Sequence, residues 1–460
     1  MMQILSLLSC VFAVFSATAL AADSDAWKTR SIYFVLTDRF AKSSSGTTAC
    51  SDLSNYCGGT WAGMEAHLDY IQGLGFDSIW ITPIVENTDG GYHGYWAKDI
   101  YNLNTNYGSA DDLKSLISAV HAKGMYIMID VVANHMGPGA FSTLTPFDIA
   151  SDFHDYCVIS NYNNQTDVEV CRITSDLPDV KTTDSGVRST YQSWIKDLVS
   201  TYSIDGLRID TVKHVEKDFW SGFVSAAGVF ATGEVYNGDP AYVGPYQSYV
   251  PSLLNYPMYY VITSAYANKG SFQDLVNQHD LVSADFANPH LLGTFLDNHD
   301  VVRFLNVNSD WTALKNALAY TLLARGIPIL YGGTEQGYNG GSDPANREDL
   351  WRSGYDTTGD LYTWIAKAMA AKKSAGGLGA NDHVHLYVTS NAYAFSRADG
   401  KLVVLTTNGG SGTSGTYCFD TGVSSGTIFK SALGSASYTA GSNGNICVVV
   451  SNGQPEILLS

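Results

Sequence analysis

The sequence has little charge and no basic cluster. Only 15% of its 460 residues are Asp, Glu, Lys or Arg, and the formal net charge is −18 because 44 acidic residues outnumber 26 basic ones. A negatively charged chain without clustered Lys and Arg repels phosphate backbones and acidic lipid headgroups. The composition therefore excludes nucleic acid and acidic membrane surfaces as partners and favours a neutral or cationic ligand.

After its N-terminus, the chain also lacks any apolar run long enough to cross a bilayer. Residues 1–21 carry an uncharged apolar stretch, 4–15, and end in Ala19-Leu20-Ala21, which has the A-x-A form of a cleavage site. We therefore expect residues 1–21 to be a secretory signal peptide. The mature protein is expected to be secreted and extracellular, without a membrane span.

Cysteine is scarce, and of the seven in the chain Cys10 leaves with the predicted signal peptide. The other six form three local couples along the sequence, which are Cys50 with Cys57, Cys157 with Cys171, and Cys418 with Cys447. An even number fits an oxidising compartment, and pairing neighbours gives three disulfides, although sequence alone does not choose among the connectivities. A metal cluster is the alternative, but neither C-x-x-C nor H-x-x-x-H accompanies these cysteines.

Helical and strand patterns alternate along most of the chain. A helix is predicted between the N-cap residue Ser109 and Gly124, and an apolar strand follows at 125–129. The same succession recurs at 191–209 and 314–330, with further strands at 31–36, 78–81 and 292–296. Repeated strand and helix units predict a parallel sheet, either an eight-stranded barrel or a doubly wound sheet.

Two segments interrupt this alternation. Residues 135–190 are polar, contain one cysteine couple and show no helical period, so they predict a small inserted domain. Beyond about residue 378, short alternating strands with hairpin turns predict an antiparallel β domain. We therefore expect a central domain at 22–134 and 191–378, an insertion at 135–190 and a C-terminal domain at 379–460.

Four acidic residues follow apolar strands, namely Asp130, Asp210, Glu234 and Asp300. The strands of a parallel barrel all point the same way, so these side chains are expected to meet at the C-terminal face, where barrel enzymes keep their active sites. Any one acid could instead cap a helix or form a salt bridge, but four at equivalent places favour an active site. The chain also holds 29 Tyr and 9 Trp, which serve either an aromatic core or stacking on flat neutral ligands such as sugars.

The motifs around these acids resemble the α-amylases and related retaining α-glycoside hydrolases, most closely the secreted fungal α-amylases of the Taka-amylase type. The matching segments are 130–135 (DVVANH), 206–214 (GLRIDTVKH), 233–235 (GEV) and 295–300 (FLDNHD), with further matches at 33–40, 91–96 and 343–347. The resemblance covers essentially everything after residue 21. It implies a (β/α)8 TIM barrel, a calcium-binding domain inserted after the third strand and a C-terminal antiparallel β-sandwich.

By this resemblance Asp210 is the nucleophile, Glu234 the general acid/base and Asp300 the carboxylate that stabilises the transition state. Retaining hydrolysis needs an ionised nucleophile and a protonated acid. Arg208 precedes Asp210 by two residues, hence on the same strand face, and is expected to keep Asp210 ionised unless it is only a structural ion pair. Glu234 has no cation beside it in sequence, so burial near other acids is expected to raise its pKa.

The resemblance also implies contacts to substrate and to calcium. The substrate-binding residues would be Tyr95, Trp96, His135, Arg208, Lys213, His214, His299, Asp343 and Arg347. Calcium would be held by Asn134, Asp179 and the backbone carbonyls of Glu169 and His214, oxygen ligands that suit a hard cation. The sequon Asn164-Gln165-Thr166 predicts a glycan on Asn164.

Three functions follow from these observations. The first is an endo-acting, monomeric α-amylase that cuts starch, glycogen and maltooligosaccharides. The second is an α-glucosidase or transglycosylase with the same chemistry, which Leu177 disfavours because the oligosaccharide-specific α-glucosidases carry Gln there. The third, a catalytically inactive carbohydrate-binding protein, is disfavoured by the intact Asp210, Glu234 and Asp300.

Overall fold

A computed structural model describes residues 22–460, so the predicted signal peptide at 1–21 lies outside the described residues. Eight parallel strands form its largest sheet: β1 (Ile32–Val35), β2 (Ser78–Ile81), β3 (Tyr126–Val131), β4 (Gly206–Ile209), β5 (Phe230–Gly233), β6 (Ser252–Leu253), β7 (Gly293–Phe295) and β8 (Ile327–Tyr331). They are ordered β6-β5-β4-β3-β2-β1-β8-β7. A parallel bridge between Leu254 and Gly293 joins the two edges. The sheet is therefore a nearly closed barrel, which confirms the barrel over the doubly wound alternative.

Helices cover the outside of this barrel. The long ones are α1 (Ala110–Ala122), α2 (Ser185–Tyr202), α3 (Lys217–Ala227), α4 (Phe272–Asp285), α5 (Trp311–Leu323) and α6 (Asp360–Ser374). Shorter helices span Ser24–Trp27, Thr37–Phe40, Trp61–Ala66, Leu68–Gly73, Gln165–Val170, Pro240–Val243, Tyr256–Ile262 and Phe304–Val307. Ser109 caps α1 as predicted, because its hydroxyl oxygen accepts the N–H of Asp112 while the Asp112 carboxylate accepts the N–H of Ser109. Every residue of β1, β2, β4 and β5 is buried, as expected of strands covered on both faces.

Two segments extend from the barrel at the C-terminal ends of its strands. After β2, a short antiparallel pair joins Val85–Asn87 to Ala97–Leu103. Between β3 and α2 the chain is mostly irregular, with the helix Gln165–Val170 and a bridge from His135 to Asp179 that ties it to the end of β3. Helix α2 begins at Ser185, within the segment 135–190 that the sequence assigns to an inserted domain, so the boundary at 190 stays a prediction.

The C-terminal part is antiparallel, as predicted. Its strands are β9 (Val384–Val388), β10 (Ala392–Arg397), β11 (Leu402–Thr407), β12 (Gly415–Asp420), β13 (Ile428–Ser431), β14 (Ser437–Thr439), β15 (Asn445–Val450) and β16 (Glu456–Leu459). One sheet has the order β9-β10-β11-β16-β13-β14, and β12 pairs with β15 in a second. Residues from both sheets, among them Val403, Phe419 and Val448, share one apolar cluster, so the two sheets pack face to face.

The six cysteines of the described chain pair with their sequence neighbours. The disulfides join Cys50 to Cys57, Cys157 to Cys171 and Cys418 to Cys447. Within residues 22–460, no helix combines the length and apolar character that a membrane crossing requires.

Candidate active site

The barrel brings the acidic residues together at the C-terminal ends of its strands. Asp210 follows β4 directly and Glu234 follows β5 directly. Asp130 lies within β3, one residue before its end, and Asp300 lies in the loop five residues beyond β7, so these two do not end strands as the sequence suggested. Asp210, Glu234 and Asp300 line a common cleft of about 680 Å³. Their convergence follows from the parallel barrel, because all strand ends face one side.

Arg208 is the cation at the base of this cleft. Its side chain is fully buried, with Nη1 2.6 Å from Oδ1 of Asp210 and 3.0 Å from both carboxylate oxygens of Asp130. Its Nη2 lies 3.2 Å from Oε2 of Glu234. Glu234, which has no cation beside it in sequence, therefore has one in space. The cation comes from the adjacent strand, where Ile209 pairs with Gly233 and so sets Asp210 beside Glu234.

The carboxyl groups of Asp210 and Glu234 meet at one guanidinium group, that of Arg208, which lies 2.6 Å from Asp210 and 3.2 Å from Glu234. Burial raises the pKa of Asp210, and the neighbouring Glu234 charge raises it further against the opposing effect of Arg208. Burial also acts to raise the pKa of Glu234, but Arg208 and the backbone N–H of Thr211, 3.1 Å from Oε2, lower it below its usual range. The pKa of Asp210 is therefore raised and that of Glu234 lowered, which is the reverse of the expectation from sequence.

Asp300 is held by basic and neutral groups on the opposite wall. Nη2 of Arg347 lies 3.5 Å from Oδ1 of Asp300, and Nη1 lies 3.2 Å from Oδ1 of Asp343. The Nε–H of Arg347 donates to the backbone oxygen of His299 at 3.0 Å, and Nε2 of that histidine is 3.4 Å from Oδ2 of Asp300. Burial and the charge of Glu234 raise the pKa of Asp300 to about 7, while Arg347 acts to lower it.

An aromatic and imidazole wall completes the centre of the cleft. The Tyr95 hydroxyl donates to Oδ2 of Asp130 at 2.8 Å, and its ring stacks on His299 at 5.2 Å and 13°. Nε2 of His135 lies 3.1 Å from the backbone oxygen of Tyr95. Burial lowers the pKa of His135 to about 4 and that of His299 well below its usual range, so both rings are neutral. Flat apolar faces beside neutral hydrogen-bonding groups match a ligand that carries many hydroxyls and no charge.

Every predicted substrate residue except Arg208 lines the cleft, including Trp96, Lys213 and His214. Nζ of Lys213 donates to the backbone oxygen of Tyr236 at 2.8 Å. Sequence reasoning missed several further lining residues, which are His93, Tyr162, Ile173, Thr174, Thr211, Tyr236 and Tyr260. His93 stands inside the matched segment 91–96 and Tyr236 follows Glu234 by two residues, whereas Tyr260 comes from a distant helix and has no local signal.

Three of the four predicted calcium ligands, Asn134, Asp179 and the carbonyl of His214, form a cluster of oxygens beside the cleft. The side-chain oxygen position of Asn134 lies 2.9 Å from the backbone oxygen of His214 and 3.2 Å from Oδ1 of Asp179. Three oxygens that face one another need either a cation between them or a rotated amide that donates its N–H groups. Val168, which precedes Glu169, contacts His214 through its backbone oxygen at 3.3 Å from Nδ1. An amide, a carboxylate and a carbonyl are the ligands that calcium prefers, so the residues present fit this ion.

Comparison with known proteins finds related α-amylases. A family profile described as "Alpha amylase, catalytic domain" matches residues 34–373. An "Alpha-amylase" of Saccharomycopsis fibuligera is 42% identical over 95% of this chain and 92% of its own length. "Alpha-amylase 1" of Schwanniomyces occidentalis is 42% identical over 96% and 92%. The solved structure of an α-amylase from Malbranchea cinnamomea superposes with a TM-score of 0.92 at 41% identity, covering 95% of this chain and 97% of that one.

Proposed function

Because the chain belongs to the α-amylase family of glycoside hydrolases, we propose that it is an endo-acting α-amylase that cuts internal α-1,4-glucosidic bonds of starch, glycogen and maltooligosaccharides with retention of configuration. The contacts of Asp210 and Glu234 with the same guanidinium group of Arg208 carry this proposal. Retaining pairs stand about 5–5.5 Å apart, whereas inverting pairs stand about 6.5–9.5 Å apart to admit a water molecule. Two carboxyl groups that both contact one guanidinium group support the shorter, retaining separation.

In the proposed first step, the Asp210 carboxylate attacks the anomeric carbon and forms a covalent glycosyl-enzyme bond. The glycosidic C–O bond breaks, and Glu234 gives its proton to the departing oxygen. Asp300 hydrogen-bonds the sugar and stabilises the positive charge of the transition state. In the second step Glu234 removes a proton from water, which attacks the anomeric carbon and releases Asp210.

This sequence of steps requires an ionised Asp210 and a proton on Glu234. Nη1 of Arg208, 2.6 Å from Oδ1 of Asp210, favours the ionised form of the nucleophile. A glycosidic oxygen placed beside Glu234 supplies the hydrogen-bond acceptor that a protonated Glu234 needs.

Substrate contacts are proposed on both sides of the bond that is cut. Tyr95 would stack on the central sugar, with Trp96 beside it and His135 and His299 on its hydroxyls. Asp343 and Arg347 would hold the non-reducing side, and Lys213 and His214 the leaving-group side. All eight residues line one cleft, which supports binding of a chain interior rather than of an end alone.

Calcium is proposed as a structural ion held by Asn134, Asp179 and the carbonyls of Glu169 and His214. When bound, it would supply positive charge that draws these oxygens together and so fixes the ends of β3 and β4 to the segment 135–190. The domain boundaries, the signal peptide, the glycan on Asn164 and a monomeric state also remain proposals. Three disulfides support a secreted protein, because such bonds persist in oxidising compartments.

Maltooligosaccharides blocked at the non-reducing end test the endo proposal. We expect cleavage into shorter blocked products, and NMR or polarimetry of the new reducing end should show the α anomer first. Activity on free ends alone would instead establish an α-glucosidase, and formation of longer products would establish a transglycosylase. Leu177 lines the cleft, so its side chain is placed to affect this choice.

A further inference from the structure

Three histidines meet where the barrel packs against the C-terminal sheet, and none of them lines the cleft. His279 lies on α4, His383 immediately precedes β9, and His385 lies within β9. One ring nitrogen from each falls within 4.8 Å of the other two. We refer to these residues as the histidine cluster. The proposed hydrolysis uses none of them.

Several ring nitrogens of the histidine cluster have no hydrogen-bond partner within residues 22–460. Nε2 of His383 and Nδ1 of His385 each lie 2.7 Å from the hydroxyl oxygen of Tyr393 on β10. In the tautomers in which both rings donate to that oxygen, Nδ1 of His383 and Nε2 of His385 are acceptors. Among the described residues, Nδ1 of His383 and both ring nitrogens of His279 are buried without a hydrogen-bond partner. Buried imidazole nitrogens without a partner are costly unless a ligand takes them.

Burial leaves the rings of the histidine cluster neutral, and a carboxylate lies beside them. Burial lowers the pKa of His279 to about 2 and lowers the pKa values of His383 and His385 as well. A neutral imidazole is the form that binds a metal ion. Oδ1 of Asp280 lies 3.6 Å from Nε2 of His385 and 3.9 Å from Nδ1 of His279. That carboxylate is mostly exposed and can turn toward the rings.

Two nearby guanidinium groups are engaged elsewhere. Nη2 of Arg325 donates to Oγ of Ser283 at 2.8 Å. Nη2 of Arg397 donates to the backbone oxygen of Leu378 at 2.8 Å, and its Nε lies 3.3 Å from the carboxylate of Asp382. Nη2 of Arg325 also donates to the backbone oxygen of His279 at 3.4 Å, so these hydrogen bonds of both guanidinium groups go to oxygens and not to ring nitrogens of the histidine cluster.

We propose that the histidine cluster, with the carboxylate of Asp280 as the fourth ligand, binds Zn²⁺ and clamps α4 to the C-terminal sheet. Three imidazoles and one carboxylate make a tetrahedral set that zinc accepts at about 2.0–2.2 Å per ligand. The Tyr393 hydroxyl would accept the outer N–H groups of two rings, the partner that metal-bound histidines usually have. Nitrogen donors select zinc over calcium, so this site differs in chemistry from the oxygen cluster at Asn134.

The test uses the full-length protein, stripped of transition metals by a chelator and then saturated with calcium so that oxygen sites are filled. Zn²⁺ is added, unbound metal is removed, and the zinc retained per chain is measured together with the melting temperature. We expect about one retained zinc and a higher melting temperature. Co²⁺ in place of Zn²⁺ should give the visible absorption bands of a tetrahedral nitrogen site.

His385→Gln and Asp280→Asn alter partly exposed residues, so both variants should fold. We expect His385→Gln to weaken zinc binding more than tenfold and remove the cobalt bands, with a smaller loss for Asp280→Asn. His290→Gln, at a histidine outside the cluster, should change neither. No retained zinc in the wild type, or equal retention by the wild type and His385→Gln, would overturn the proposal. Both readouts are independent of amylase activity, so they do not depend on the proposed function.

Discussion

Arg208 shows how one side chain sets the charge balance of the active site. Its contact with Asp210 is predictable from sequence, since residues two apart on a strand share a face. Its contacts with Asp130 and Glu234 are not, because those acids belong to the neighbouring strands β3 and β5. Barrel register brings them together, with Asp130 opposite Arg208. A register is a property of the closed sheet, so local sequence gives no signal for it.

Glu234→Gln and Asp210→Asn should each lower kcat by at least about 10³-fold, because each removes one half of the proposed carboxylate pair. Each change replaces an ionisable carboxyl group with an amide of nearly the same shape, so the fold and starch binding should persist. Initial rates on starch, with circular dichroism and starch co-sedimentation on the same samples, check this. Glu86→Gln, at a partly exposed residue paired with Lys98, is the matched control and should retain full activity. A folded variant with near-normal turnover would remove that residue from its proposed role.

Arg347→Gln should shift the pH dependence of activity. The guanidinium of Arg347 lowers the pKa of Asp300, which burial raises to about 7, so removing the positive charge raises that pKa further. If Asp300 acts as a carboxylate, activity falls as the pH drops through its pKa. The acid limb of kcat/KM should therefore move to higher pH, by about one unit for a charge at this distance. Arg347→Lys keeps the charge, and its acid limb should stay in place even if its maximum rate falls. Acid limbs at the same pH in the wild type and in Arg347→Gln would contradict this coupling between Arg347 and Asp300.

Among the elements, regular buried segments are the most predictable from sequence. β2 and β4 have the predicted bounds, 78–81 and 206–209, because short apolar runs flanked by polar residues mark strands that are covered on both faces. The two-residue strand β6 is too short to show any period. The antiparallel pair after β2, which positions Tyr95 and Trp96, was also missed because its register is irregular. Irregular elements of this kind supply many of the residues that line the cleft.

The oxygen cluster of Asn134, Asp179 and the His214 carbonyl joins three elements of the fold, so loss of its ion should destabilise the contacts among them. Asn134 follows β3, His214 follows β4, and Asp179 belongs to the segment between β3 and α2. An ion that binds only the folded protein stabilises it by about 4 kcal/mol at a thousandfold excess over its Kd. Chelation should therefore lower the melting temperature, and added calcium should restore it. Differential scanning calorimetry with and without calcium measures the change.

Asp179→Ala should remove this calcium dependence while the catalytic acids remain in place. Asp176→Ala is the matched control, because Asp176 is exposed three residues earlier and bonds only the Thr174 hydroxyl among the described contacts. It should melt like the wild type and respond normally to calcium. A melting curve that stays unchanged after complete chelation, with metal analysis showing no calcium, would contradict the assignment.

At the scale of the whole molecule, the barrel and the C-terminal sheets are packed as one unit. Tyr393 and Phe395 of β10 belong to the same apolar cluster as residues of the barrel helices. Arg397 is fully buried and donates to the backbone oxygens of Leu378 and of Leu323 on α5. The hydrophobic pattern changes from alternating helices and strands to short strands at the boundary, so the sequence separates the two parts. The contact between them could not be predicted, because the residues of two packed surfaces show no periodic pattern in the sequence. The histidine cluster lies in this same contact and was missed for the same reason.

Asn316→Ala tests whether the two parts unfold together. Asn316 is fully buried on α5, and its Nδ2 donates to the backbone oxygen of Gly453 at 2.7 Å while its Oδ1 accepts the N–H of Thr407 at 2.7 Å. Removing the amide leaves two buried backbone groups short of a partner, which costs roughly 2–4 kcal/mol of unfolding free energy. If the parts unfold as one unit, calorimetry should show a single transition at a lower temperature, with kcat on starch unchanged because Asn316 lies outside the cleft. Asn306→Ala, which removes a single exposed hydrogen bond to Asn339, should melt close to the wild type. Two separated transitions in Asn316→Ala would show instead that the C-terminal sheets unfold independently of the barrel.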